Sequence, residues 1–147
     1  FIILMKMDDS KNTNTNNENR MKLSDISIDD IYEVSEILQC DFSELHEKFV
    51  FNKNNYIKAS CLWRCKDINK FLEGVCVYNE DEILNINCLE DKDVNYDYLI
   101  RNLPKTVKKI ELVENRYELI KALQKNKFKV KKTITKNTTD FFLMEKV

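Results

Sequence analysis

From Lys108 to Val113 apolar and charged side chains alternate, Ile110 and Leu112 against Lys109 and Glu111, which is the two-residue period of a strand with one buried face. From Arg116 to Lys125 the period changes. Leu119, Ile120 and Leu123 recur at helical spacing with Ala122 beside them, while Lys121 and Lys125 fall on the wet side. Asn115 is placed to cap this helix and Glu118 to complete a near capping box. Asn126 is placed to end the helix in the left-handed conformation that glycine usually supplies. Phe128 to Ile134 and Phe141 to Met144 then read as two strands across the polar turn Lys136 to Asp140.

The same reading extends upstream. Met21 to Ser27 is an edge strand, and Ser27 offers an N-cap to a helix from Asp30 to Leu38 whose apolar face is Ile31, Val34, Ile37 and Leu38. Asp41 or Ser43 opens a second helix through Leu45, Phe49 and Val50. Three strands follow, Tyr56–Lys66, Phe71–Tyr78 and Glu82–Leu89, in a meander whose short links require antiparallel pairing. In the first of them Ala59, Cys61, Trp63 and Cys65 share one face, with Leu62 and Arg64 on the other. Asp93 to Leu103 reads as a helix stopped near Pro104. It crosses over between two strands, so the strand at Glu82 and the strand at Ile110 should pair in parallel.

The order is β-α-α-β-β-β-α-β-α-β-β, an α/β (α+β) chain with a mixed central sheet spanning 21–147. Ser10 to Arg20 is a polar low-complexity tract that buries nothing, so 1–20 is expected to be disordered or non-native to the domain. Phe1 to Met7 is apolar but lacks a basic leader and a small-residue cleavage site, which makes it a poor secretory signal.

The element order, the Asn-led helix ending on Lys125-Asn126-Lys127-Phe128, and the closing Asp140-Phe141-Phe142-Leu143-Met144-Glu145-Lys146 resemble the GNAT superfamily of N-acetyltransferases. That family commonly ends N-x-x-A-x-x-L-Y-x-K-x-G-F, a strand, then L-M-x-K. Aligned on Lys125 and Phe128, the family's tyrosine falls on Leu123, its glycine on Lys127, and its asparagine lies one residue away, at Asn115.

The resemblance implies acetyl transfer from acetyl-CoA to an amine carried by a small molecule or a protein. It also implies a pyrophosphate loop, R/Q-x-x-G-x-G/A, at the start of the central helix. Cys88 to Asp97 stands in that place without a glycine, and Glu90, Asp91 and Asp93 put carboxylates where phosphates would sit. Cys88, Leu89, Lys92, Val94, Asn95 and Asn115 are the positions that would meet the cofactor. The loop predicts weak acetyl-CoA binding or none. Three readings follow: a degenerate cofactor site, an active acetyltransferase with an atypical loop, or a binding or regulatory module. If the chain is active, Tyr117, almost two turns before Leu123, is the available proton donor, and Glu73, Glu82 or Asp91 the available base. Asn85 and Asn87, on one face of their strand, mark either a polar pocket or an incompletely covered sheet face.

Composition narrows the partners. A net charge of −1 argues against a dedicated nucleic-acid binder, and no apolar run reaches the roughly 20 residues of a membrane span. The acidic first half and the lysine-rich C-terminal third leave either an anion-facing surface or a solvated face. Five cysteines among apolar neighbours read as small buried hydrophobes in a reducing, cytoplasmic setting. Cys61 and Cys65 lack a second pair, and the chain has one histidine, so no metal is expected.

Overall fold

The computed structural model describes residues 20–47 and 57–147. The expectations for residues 1–19, and for Phe49, Val50 and Tyr56, lie outside the described residues. Seven strands form one sheet, β1 (Arg20–Asp25), β2 (Lys58–Lys66), β3 (Asn69–Tyr78), β4 (Glu82–Cys88), β5 (Lys109–Val113), β6 (Phe128–Lys136) and β7 (Thr139–Lys146), in the spatial order β1-β2-β3-β4-β5-β7-β6. Among the described residues four α-helices accompany it: α1 (Ile31–Leu38), α2 (Phe42–His46), α3 (Asp93–Arg101) and α4 (Tyr117–Lys125). This is the predicted order, and the predicted meander is antiparallel throughout.

The alternation along β2 divides the core. Ala59, Cys61, Trp63 and Cys65 pack with Ile31, Val34 and Leu38 of α1 and Leu45 of α2. Leu62, on the other face, joins Tyr96, Leu99 and Ile100 of α3 and Leu119, Ala122 and Leu123 of α4. Each such side chain taken wholly from water contributes about 1.5–3 kcal/mol. The helices are therefore fixed on the sheet by their apolar stripes, with α1 on one face and α3 and α4 on the other.

Capping explains where the helices begin. The Ser27 hydroxyl accepts from the Asp29 amide of a single 3-10 turn that runs into α1. Asp41, rather than Ser43, caps α2, its carboxylate accepting from the amide of Ser43 at 2.7 Å. At α4 the expectation fails. Arg116 occupies the cap position without a side-chain bond, and Asn115 contributes only its carbonyl, which accepts from the Tyr117 amide. Asn126 also departs from expectation, with φ −98 instead of a left-handed value. Its carboxamide donates to the Ala122 carbonyl and to Asp97, and the left-handed residue is Lys127 at φ 69. That is the position where the resembling family carries glycine.

Two irregularities shape the centre of the sheet. Along β2 and β3, Leu62 faces Gly74 while Trp63 faces Leu72, so Glu73 is an extra residue on β3. Along β3 and β4, Val77 faces Asn85 while Tyr78 faces Ile83, so Leu84 is an extra residue on β4. Immediately beyond, the parallel pairing of β4 with β5 stops. It is confined to Glu82 with Lys109 and Ile83 with Ile110, and the two strands then diverge toward Cys88 and Val113. Bulges bend and twist the strand that carries them, which accounts for a parting that starts at Leu84.

Candidate functional site

The divergence of β4 and β5 opens a cavity of about 160 Å³, whose walls include Leu84, Asn85, Glu111, Phe141 and Arg116. Arg116 lies at the junction of β5 and α4 and reaches across. Its Nη1 donates to the Ile86 carbonyl at 3.0 Å, and its Nη2 donates to the Tyr96 hydroxyl at 3.2 Å and to Asn87 Oδ1 at 3.4 Å. The Ile86 carbonyl belongs to the part of β4 that has lost its β5 neighbour, and the guanidinium takes the acceptor that a strand would have used. A planar fork with five donors suits three acceptors on two elements as an ammonium does not. Tyr96 passes the connection on, donating to Asp91 Oδ1 at 2.7 Å. Burial and this carboxylate push the Tyr96 phenol up to about 12 despite the nearby arginine.

The start of α3 is flanked by the carboxylates of Glu90 and Asp93, each paired with a lysine. Lys92 holds the cap position without a side-chain bond and pairs with Glu90 at 2.9 Å. Asp93, in the first turn, pairs with Lys125 of α4, and its carboxyl is held below the ordinary range first by that ammonium. The loop is also stitched to β3. The Leu89 amide donates to the Glu73 carbonyl at 2.6 Å, and the buried Asn95 carboxamide donates to Glu73 Oε1 at 3.2 Å and to the Glu90 carbonyl at 3.3 Å.

Glu73 is the most deeply buried acid among the described residues. The β3 bulge turns it inward until only 2 % of it is exposed, and burial raises its carboxyl above the ordinary 4.5. Oε1 accepts from Asn95, whereas Oε2 has no hydrogen-bond partner and lies 3.8 Å from Arg64.

A second, larger cavity of about 580 Å³ lies beneath α1, between it and the ends of β2, β3 and β4. Asn87 reaches into its wall and ties β4 to α1 by donating to the Ile37 carbonyl at 2.7 Å. Because Asn87 also accepts from Arg116, the Arg116–Asn87 contact stands between the two cavities.

The expected site residues divide accordingly. Glu73 and Asn95 meet directly, and Cys88, Leu89 and Lys92 surround them at the end of β4 and the start of α3. Val94 is 58 % exposed on the first turn of α3, and Tyr117 is 70 % exposed at the start of α4. Glu82 sits at the far end of β4, in the hairpin closed by Asn79, and does not join the others. Asn115 is exposed and caps nothing. Asn87 settles its own ambiguity by lining a polar cavity, while Asn85 faces the smaller opening. Sequence reasoning missed Arg116 and Tyr96. The available signal was a single arginine at a helix start in a segment whose other basic residues are all lysine.

No protein-family model matches the sequence, and no curated protein matches it. Solved structures do. A spermidine N-acetyltransferase SpeG chimera from Vibrio cholerae and hSSAT superposes with TM-score 0.57 at 14 % identity, over 86 % of this chain and 95 % of that one. NAA60 of Arabidopsis thaliana, in complex with a bisubstrate analogue, gives 0.65 at 12 % identity over 86 % and 98 %. The aminoglycoside acetyltransferase AAC(6')-Ib, solved with coenzyme A and kanamycin, gives 0.59 at 11 % over 87 % and 95 %. With the element order and the parting of β4 from β5, these likenesses show that the chain has the fold of the GNAT N-acetyltransferases.

Proposed function

We propose that this chain is a GNAT-fold protein with a degenerate coenzyme site, and that it holds an amine-bearing small molecule without acetylating it. One observation carries the reading: Arg116 spans the parting of β4 and β5, where a coenzyme arm would have to run, and satisfies the Ile86 carbonyl itself. The start of α3 supports it. A pyrophosphate arriving there would meet Glu90, Asp91 and Asp93, in a loop without glycine, so the residues present do not fit acetyl-CoA. The amine is suggested by the cavity beneath α1, where Glu33 and Glu36 contribute to the lining. Calorimetric titration with acetyl-CoA and with free CoA tests the reading. No saturable heat is expected from either. Micromolar binding that is lost on replacing Lys92 or Asn95 would overturn it.

That outcome would favour a second reading, an active acetyltransferase with an atypical loop. Its support is the opening between β4 and β5, which persists as a cavity beside the arginine. Glu73, buried and with its carboxyl raised above the ordinary value by that burial, is the base that reading would use.

A further inference from the structure

The larger cavity carries charge of both signs, and the two signs come from different elements. Glu33 and Glu36 lie one helical turn apart on α1, and neither has an ion-pair partner among the described residues. Arg64 near the end of β2 and Lys70 near the start of β3 supply two cations to the same cavity. Arg64 is held by its ion pair with buried Glu73 at 3.8 Å, beyond hydrogen-bond reach, so its fork retains donating capacity. Lys70 lies over the face of Trp63, its Nζ 4.2 Å from the ring centroid, which fixes the ammonium on the cavity's β2–β3 side. The rest of the lining mixes Ile37, Leu72 and Cys88 with Gln39 and Asn87, and Phe71 at 51 % and Leu89 at 64 % exposure add hydrophobic surface. A volume of about 580 Å³ is that of a small-molecule site.

We propose that this cavity binds a dipolar ligand: an aliphatic molecule with an ammonium group at one end, met by Glu33 and Glu36, and a carboxylate at the other, met by Arg64 and Lys70. The inference rests on the preceding reading for the choice of cavity and adds the anionic pole. A simple polyamine would satisfy the acids and set a second cation against Arg64 and Lys70. A dipolar molecule offers each wall a group of opposite charge, and its methylene chain covers the rim.

The test uses the full chain without coenzyme and three probes of one length: 6-aminohexanoate, 1,6-diaminohexane and hexanoate. Calorimetry, with amide shifts in ¹H–¹⁵N spectra, is expected to rank 6-aminohexanoate at least tenfold tighter than either. E33Q/E36Q should weaken 6-aminohexanoate and the diamine alike by tenfold or more. K70Q and R64Q should weaken 6-aminohexanoate and spare or improve the diamine. Among the described residues Arg64 is the one ion-pair partner of buried Glu73, so R64Q is read only if its thermal transition stays cooperative; K70Q carries the test otherwise. A diamine that binds as tightly as 6-aminohexanoate and ignores K70Q would overturn the dipolar inference and leave the amine reading standing. Tightest binding by hexanoate, or no binding by any probe, would overturn both.

Discussion

Arg116 Nη1 donates to the carbonyl of Ile86 at 3.0 Å, so a side chain spans the gap that β5 leaves beside β4. Arg116→Ala strips three acceptors of their donor. Hydrogen bonds from charged groups are worth about 1.5–3 kcal/mol each, but this guanidinium is only half-buried, so a loss of about 2 kcal/mol is expected. Urea unfolding should show a lower midpoint with an unchanged slope. Arg116→Lys should recover less than half of the loss, because an ammonium cannot present the fork. A variant as stable as the parent would remove the arginine from its structural role.

Glu73 gives stability a pH dependence of definite sign. Its folded-state pKa is raised above the ordinary 4.5 by burial, so the folded chain binds the proton more tightly than the unfolded one. Its contribution is therefore most favourable below 4.5 and falls as pH rises through the raised folded value. Glu73→Gln keeps an acceptor for Asn95 without the charge. It should flatten this part of the stability profile and be relatively more stable at neutral pH than in acid. An unaltered slope between parent and variant would show that the carboxyl is not strained by its burial.

Gly74 faces Cys88 across the β3–β4 pair, and a Cβ at position 74 would come within 2.6 Å of the Cys88 sulfur. Gly74→Ala should cost about 1–3 kcal/mol by overpacking. Removing the sulfur makes room, so Cys88→Ala should be less harmful in the Gly74→Ala background than in the parent. A double-mutant cycle measures that coupling, and simple additivity would refute the contact.

No cysteine is in a disulfide, and Cys61, Cys65, Cys76 and Cys88 are buried while Cys40 is partly exposed. Burial pushes the Cys61 and Cys88 thiols up to about 12, and Cys76 is raised by the same cause. A disulfide reagent such as DTNB should therefore titrate one fast thiol in the folded chain and four more after denaturant. Cys40→Ser should abolish the fast phase. Several fast thiols would show that the sheet opens readily around them.

What the sequence disclosed and what it withheld differ in range. The alternation of Ile110 with Leu112 and the helical spacing of Leu119 with Leu123 are local consequences of burial, and both elements appear within a residue or two of their expected ends. The split of β2 into a Trp63 face and a Leu62 face was legible for the same reason. Arg116 was not, because its partner Ile86 is 30 residues away, and being the one arginine among lysines does not say what it reaches. Glu73 read as one of several strand carboxylates because its burial comes from a bulge, and a bulge depends on the partner strand's register. Asn115 and Glu118 have the residue types and spacing of a near capping box, but the chain enters the helix one residue later, with Arg116 at the cap.

The extra residue at Leu84 has a consequence for what kind of change the opening tolerates. Ile83 and Ile86 are three positions apart, yet both reach the same core, because the insertion between them resets the alternation. The divergence of the two strands is thus encoded as a count of residues and not as a choice of side chain. Any residue compatible with an exposed strand should serve at position 84. Deleting it, by contrast, would leave Ile83 and Ile86 facing inward as before while allowing β4 to run straight alongside β5. The opening would zip shut with the hydrophobic pattern intact, and so its persistence in evolution should be guarded against deletions more strictly than against substitutions.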